Sequence, residues 1–212
     1  MLLLKLSIAS ILITRLTGFT GYRLGLTDSP DARKFHQGSV PLTGGIAIFL
    51  TTLLGVVALD IAPLTYPMLG IAVMVFAVGV FDDIQHINPW LRLAIQYGAG
   101  LLLATYGGIA IYQVGNLLGL GNIPLLLLSA PLTALAVAGL SNAYNMIDGI
   151  DGLAAATIAL PLAVLYMLAL QAGHPQAGFL LLILVPLAVF LVFNLGPDNR
   201  FLPRIFLGDN GS

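Results

Sequence analysis

Cysteine and glutamate are both missing from this 212-residue chain. Without cysteine there is no disulfide and no thiolate chemistry. Without glutamate, every one of the nine acidic residues is an aspartate. Charge of either sign is scarce: 8% of residues are charged, against about 25% in an ordinary soluble domain. Apolar residues make up 58% of the chain, and the mean hydropathy is +1.00. Disorder, a disulfide scaffold and a typical soluble enzyme are thereby excluded, and a polytopic membrane protein remains. With eight basic residues and a net charge of −1, no nucleic-acid partner is expected.

The charges that are present mark out the spans. A membrane helix needs about 20 mostly apolar residues, because a hydrocarbon core about 30 Å thick is crossed at about 1.5 Å per residue. Uncharged stretches run over 35–59, 61–81, 93–147 and 152–197. The last two each hold two spans, with loops near 106–122 and 171–178. The expected spans are 2–20, 41–60, 66–82, 91–106, 123–141, 153–171 and 178–196. Together they predict an all-α polytopic transmembrane helix bundle of about seven spans, with residues 1–212 forming a single domain. Lys5 and Arg15 interrupt the first span and are expected to snorkel. A cleaved signal peptide is disfavoured, because no small-x-small site follows the apolar run. Pro161 and Pro186 fall inside spans, which neighbouring helices can accommodate in lipid.

Arg15, Arg23, Arg33, Lys34, Arg92, Arg200 and Arg204 all fall on one face of this arrangement. The opposite loops carry no Lys or Arg, and only Lys5 breaks the pattern. By the positive-inside rule the basic face is cytoplasmic and the N-terminus lies outside. All the acids except Asp60 share the basic face.

Four clusters on that face carry candidate chemistry. Phe81-Asp82-Asp83 ends the third span; adjacent carboxylates repel unless a cation sits nearby. In the stretch from Ser141 to Gly152, Asn142, Asn145, Asp148 and Asp151 recur every third residue, a row that would share one helix face. Two amides and two carboxylates are hard oxygen donors suited to Mg²⁺ or Mn²⁺. The plainer alternative is a polar turn in which Asp151 caps the next helix. Arg33-Lys34-Phe35-His36 precedes Gly38, Pro41, Gly44 and Gly45, and cations beside glycine turns can hold a diphosphate. Phe206–Ser212 places Asp209 between glycines, so the backbone can approach whatever that carboxylate binds. Carboxylates, cations and glycine turns on one face of a membrane bundle point to phosphoryl chemistry on a lipid phosphate.

These motifs, in this order, resemble the polyprenyl-phosphate N-acetylhexosamine-1-phosphate transferases. The resemblance covers essentially the whole chain. It runs from Ala32-Arg33-Lys34-Phe35-His36-Gln37-Gly38 and Pro41 to Gly45, through Phe81-Asp82-Asp83 and Asn142 to Leu153, to Phe206–Ser212. The form Asn-x-x-Asn-Met-x-Asp-Gly-x-Asp-Gly-Leu resembles the undecaprenyl-phosphate N-acetylglucosaminyl branch more than the peptidoglycan branch. The resemblance implies transfer of sugar-1-phosphate from a UDP-N-acetylhexosamine to undecaprenyl phosphate with release of UMP, a first membrane step of cell-surface glycan synthesis. It implies Mg²⁺, with Mn²⁺ an open substitute, and the bacterial inner membrane with the active face cytoplasmic; a homodimer stays open. It makes Asp209 and Asn145 metal ligands, and Asp82, beside Asp83, the proton acceptor for the lipid phosphate. Asp148 and Asp151 would line the nucleotide and metal region, and Arg33, Lys34, His36, Asn142 and Arg92 would contact substrate.

Two departures stand out. Family members often carry a Lys shortly after the aspartate pair, where this chain reads Asn88-Pro89-Trp90-Leu91-Arg92; Arg92 would substitute with a planar fork in place of a point charge. The family also usually continues past the Gly-Asp-x-Gly-Ser motif. This chain is therefore expected to be the N-terminal part of a longer fold, with a poorly held metal site and little activity alone. Two other protein classes share part of this pattern. Asp148-x-x-Asp151-Gly152-x-x-Ala155 matches the opening of the CDP-alcohol phosphotransferase signature, but its next Arg is replaced by Ala156. A transporter or lipid-phosphate-binding protein would place its site near the bilayer midplane, whereas here the candidates gather at one interface.

Overall fold

A computed structural model describes residues 2–28, 39–59, 65–117, 119, 121–199 and 201–211. Seven α-helices run through them: α1 (Leu2–Leu24), α2 (Gly44–Leu59), α3 (Tyr66–Gln85), α4 (Pro89–Thr105), α5 (Ser129–Ile147), α6 (Leu153–Gln171) and α7 (Ala177–Leu195). A two-residue antiparallel ladder joins β1 (Thr27–Asp28) to β2 (Val40–Pro41). The expected all-α bundle is the observed one. Five helical segments are long and apolar enough to cross a membrane: Leu3–Leu24, Tyr66–Gln85, Leu126–Ile147, Leu153–Gln171 and Ala177–Leu195. At 16 residues, α2 is apolar but short.

The span boundaries moved where local chemistry overrode hydropathy. Pro41 pairs with Thr27 in the ladder, so α2 starts at Gly44, not at 41. Pro89 at the first turn and Asn88 as N-cap, accepting from the Trp90 amide at 2.9 Å, start α4 early. Residues expected to open the fifth span instead form a small hairpin, with Gln113 bridged to Pro124, followed by a 3₁₀ turn over Leu126–Leu128. Both internal prolines, Pro161 and Pro186, lie inside helices as expected.

The bundle packs in two groups. Helices α1, α2 and α7 contact one another, and α6 lies on α7; α4 packs on α5 and on α3. The main core gathers Ala154 and Ala155 of α6 with Leu187, Phe190 and Phe193 of α7, and closes with Ile205 and Leu207 from the segment after α7. Both of those last side chains are fully buried. That segment is therefore part of the core, which matters for the site it carries.

Candidate active site

A cavity of about 660 Å³ opens where α3, α5 and α7 end and α6 begins. Five carboxylates line it: Asp28, Asp83, Asp148, Asp151 and Asp209. Residues separated by more than a hundred positions thus meet at one end of the bundle. Three of the four sequence clusters supply four of these aspartates, and β1 supplies Asp28.

The loop bearing Asp209 is held from three sides. Burial of Ile205 and Leu207 against Phe190 and Phe193 contributes about 1.5–3 kcal/mol per side chain. Backbone pairing adds direction: the Phe206 amide donates to Pro41 at 2.9 Å, and the Gly44 and Gly45 amides donate to the carbonyls of Phe206 and Leu207 at 2.8 and 2.9 Å. Asp83 completes the grip, accepting from the Asp209 amide at 2.8 Å, from the Asn210 amide at 3.2 Å, and from the Asn210 side chain. The loop itself is fixed by α2, α3 and α7. Gly44 and Gly45 serve close backbone approach at the start of α2 and stand in no phosphate turn of their own. A Cβ on Gly44 would lie 2.8 Å from the Phe206 carbonyl oxygen. On α3, a Cβ on Gly79 would lie 2.7 Å from that of Asp209.

Asp82 and Asp83 are neighbours with separate surroundings. Asp82 is buried, accepts from the Ile87 amide at 2.7 Å where α3 ends, and pairs with Arg92 at 2.5 Å. Arg92 also lies 3.6 Å from the Asp209 carboxylate and donates to the Asn145 amide oxygen at 3.4 Å. The Asn145 amide nitrogen donates to Asp209. The repulsion expected between adjacent carboxylates is resolved by one guanidinium on α4 and by backbone amides from the 208–210 loop. Asp82, Arg92 and Asn142 are not among the described residues lining the cavity. Asn142 instead donates to Gln96 on α4 at 2.9 Å, tying α5 to α4.

The row of every-third residues is broken by the helix end. Asn142 and Asn145 are on α5, Asp148 caps it, and Asp151 lies in the turn before α6. Asp151 does not cap α6: the N-cap is Gly152, in the left-handed conformation (φ 71°), with no side-chain cap bond. The Asp151 carboxylate faces Arg204 at 3.5 Å instead.

Burial and the crowd of neighbouring carboxylates set the protonation of this end. Asp148 is pushed up to about 7, first by desolvation and then by the charges of Asp209, Asp83 and Asp151. Asp209 is also raised, chiefly by desolvation, with the Asn145 hydrogen bond acting in the opposite direction.

A divalent cation suits this donor set. The raised carboxylates are hard oxygen donors that a cation would relieve. Among the described residues no three His, Cys, Asp or Glu side chains form a ready-made cage. Asp209 and Asp148 both line the cavity, where a cation would meet them. Asn145 turns its amide N–H towards Asp209, so it would bind a cation only with the amide reversed.

Arg33, Lys34 and His36 lie outside the described residues. Arg204, Asn194 and Asn210 were missed from sequence. Arg204 looked like any positive-inside residue. Asn194 sits at the end of a long apolar run with no charge to single it out, yet it is buried, lines the cavity, and donates to the Ile205 carbonyl at 2.9 Å.

A bundle of apolar helices with five aspartates converging on one end defines a multi-pass membrane protein with an acidic cavity at the ends of its helices. The sequence model of glycosyl transferase family 4 matches residues 65–212, and the chain belongs to that family. It is 30% identical over 207 residues to a probable undecaprenyl-phosphate N-acetylglucosaminyl 1-phosphate transferase of Bacillus subtilis, covering 95% of this chain and 56% of the relative. It is 31% identical over 193 residues to the undecaprenyl-phosphate alpha-N-acetylglucosaminyl 1-phosphate transferase of Escherichia coli O157:H7, covering 90% and 52%. The corresponding protein of Yersinia pestis is 29% identical over 192 residues, with the same coverage. The chain spans about half the length of these curated relatives.

Proposed function

We propose that this chain belongs to an Mg²⁺-dependent phosphoglycosyltransferase that moves N-acetylhexosamine-1-phosphate from a UDP-sugar to undecaprenyl phosphate at the cytoplasmic face of a bacterial inner membrane. The observation that carries the reading is the convergence of Asp83, Asp148, Asp151 and Asp209 on one end of an apolar bundle. In the proposed reaction an oxygen of the lipid phosphate attacks the sugar-bearing phosphorus of the nucleotide sugar. The bond from that phosphorus to the bridging oxygen breaks, and UMP leaves with the electron pair. The lipid phosphate is already an anion, so direct attack needs no covalent enzyme intermediate.

Four aspartates and Arg92 have a part in this scheme. Asp209 and Asp148 would hold Mg²⁺, which neutralises phosphate charge as the bond order shifts. Asp83 positions Asp209 by gripping its loop. Asp82 was implied as proton acceptor; its burial and its two partners fit a positioning role, in which it holds Arg92 beside Asp209. Asp148, raised by burial and by its acidic neighbours when no cation is bound, would be held ionised by Mg²⁺. The basic residues at this end support its cytoplasmic placement.

The test supplies purified protein in nanodiscs with UDP-N-acetylglucosamine, undecaprenyl phosphate and Mg²⁺, and measures UMP. Because the chain spans about half the length of its relatives, UDP binding is measured beside turnover. The expected result is UDP binding, together with any UMP release abolished by Asp209→Asn. A protein that binds neither UDP nor a prenyl phosphate is not this transferase.

A further inference from the structure

The cavity poses a charge problem that its aspartates cannot solve. Five carboxylates repel a phosphate, and a divalent cation offsets only part of that charge. Arg204 carries the only guanidinium or ammonium group among the described residues lining the cavity. Arg92 is committed elsewhere, locked to Asp82 at 2.5 Å with a side chain only 16% exposed. Arg204 is held much more loosely. Its side chain is 31% exposed, and its ion-pair partner among the described residues is Asp151 at 3.5 Å, itself 46% exposed. Its Nε is buried with no hydrogen-bond partner among the described residues.

The backbone beneath this side chain is rigid. The Arg204 amide donates to Asp198 at 3.1 Å, Asn194 holds the next carbonyl at 2.9 Å, and Ile205 is fully buried. A fixed backbone therefore presents to the cavity a guanidinium whose terminal nitrogens have one weak partner, Asp151. The two terminal nitrogens of a guanidinium form a fork that takes two phosphate oxygens.

We infer that Arg204 is a phosphate-binding residue of this cavity, held in reserve by Asp151 and transferred to a substrate phosphoryl group when substrate enters. This deepens the transferase reading and rests on it. The phosphate belongs either to the nucleotide diphosphate or to the lipid, and the chemistry of recognition is the same. The nucleotide diphosphate is the assignment favoured here, because Asp151 and Arg204 lie on the turn and the loop that wall the cavity.

The experiment measures binding of UDP, UMP and farnesyl phosphate to nanodisc-embedded wild type, Arg204→Gln and Arg204→Lys, with Mg²⁺ present. For Arg204→Gln the expected result is a loss of about tenfold or more in UDP affinity, the scale of a charge-assisted bidentate contact. UMP affinity should change much less, so the preference for the second phosphate collapses. Arg204→Lys should restore part of that preference, since lysine keeps the charge but not the fork. Loss of farnesyl phosphate binding with UDP unchanged would keep the phosphate role and assign it to the lipid substrate. Unchanged binding of both ligands by Arg204→Gln overturns the inference and leaves the transferase reading intact. Failure of the wild type to bind either ligand removes both. Folding is followed by the thermal midpoint; if Arg204→Gln does not fold, an unchanged UDP-to-UMP ratio in Arg204→Lys overturns the inference.

Discussion

At the scale of single residues, identical side chains do different work because their surroundings differ. Asp82 and Asp83 are adjacent, yet one is buried on a guanidinium and the other holds a loop by its amides. Asp148 is the carboxylate whose titration has a visible consequence. Its value is about 7 in the folded protein against 3.8 unperturbed. A carboxylate raised in this way favours the folded state while protonated. That stabilisation is complete below about pH 4 and is lost as pH rises towards about 7. In the absence of divalent metal, the thermal midpoint of wild type should therefore rise relative to Asp148→Asn as pH falls from 7 to 4. A difference between the two proteins that stays flat over that range would show that Asp148 is not held in a desolvated, acid-crowded setting.

At the scale of elements, α3 shows how one helix serves both membrane and site. Its C-terminal end carries Asp82 and Asp83, and Gly79, one turn earlier, lies under the Asp209 loop. Alanine is the better helix former by about 1 kcal/mol, so a glycine to alanine change in a helix should ordinarily stabilise. Gly70→Ala, where the new methyl meets nothing within 4 Å, is expected to do so by up to that amount. Gly79→Ala is expected to do the opposite, because its Cβ would press on the Asp209 carbonyl and on Asn210. Thermal denaturation of the two variants, with UDP binding alongside, checks this. Equal stabilisation by both would show that the loop does not pack on α3. The glycines Gly44 and Gly45 were visible in the sequence, but their purpose was not. Sequence placed them beside a phosphate turn, whereas their partners, Phe206 and Leu207, lie far along the chain.

At the scale of the whole molecule, the absence of cysteine makes topology directly measurable. Asn199, at the cavity end of α7, and His174, just before its other end, are both exposed. Single-cysteine variants Asn199→Cys and His174→Cys should react with a membrane-impermeant maleimide from opposite sides of sealed vesicles. The cavity-end site is expected to react from the cytoplasmic side. Labelling of both from one side would show that α7 does not cross. The same experiment places the active end, since α3, α5 and α7 all terminate there.

Hydropathy and charge spacing alone determined that this is a helical membrane bundle and where most helices lie, because a lipid span demands a length of uncharged chain that can be read directly. The predicted span 153–171 coincides with α6. The Asn and Asp clusters were legible too, because polar groups at the ends of such spans need a reason to be there. What needed the tertiary structure were the partners. Asn142 points to Gln96 and Asn145 to Asp209, although they sit on the same helix three residues apart. Asp151 faces Arg204 instead of capping α6. Arg204 and Asn194 acquire meaning only once Ile205 and Leu207 are driven into the core, because that burial fixes which side chains of the final loop face the cavity.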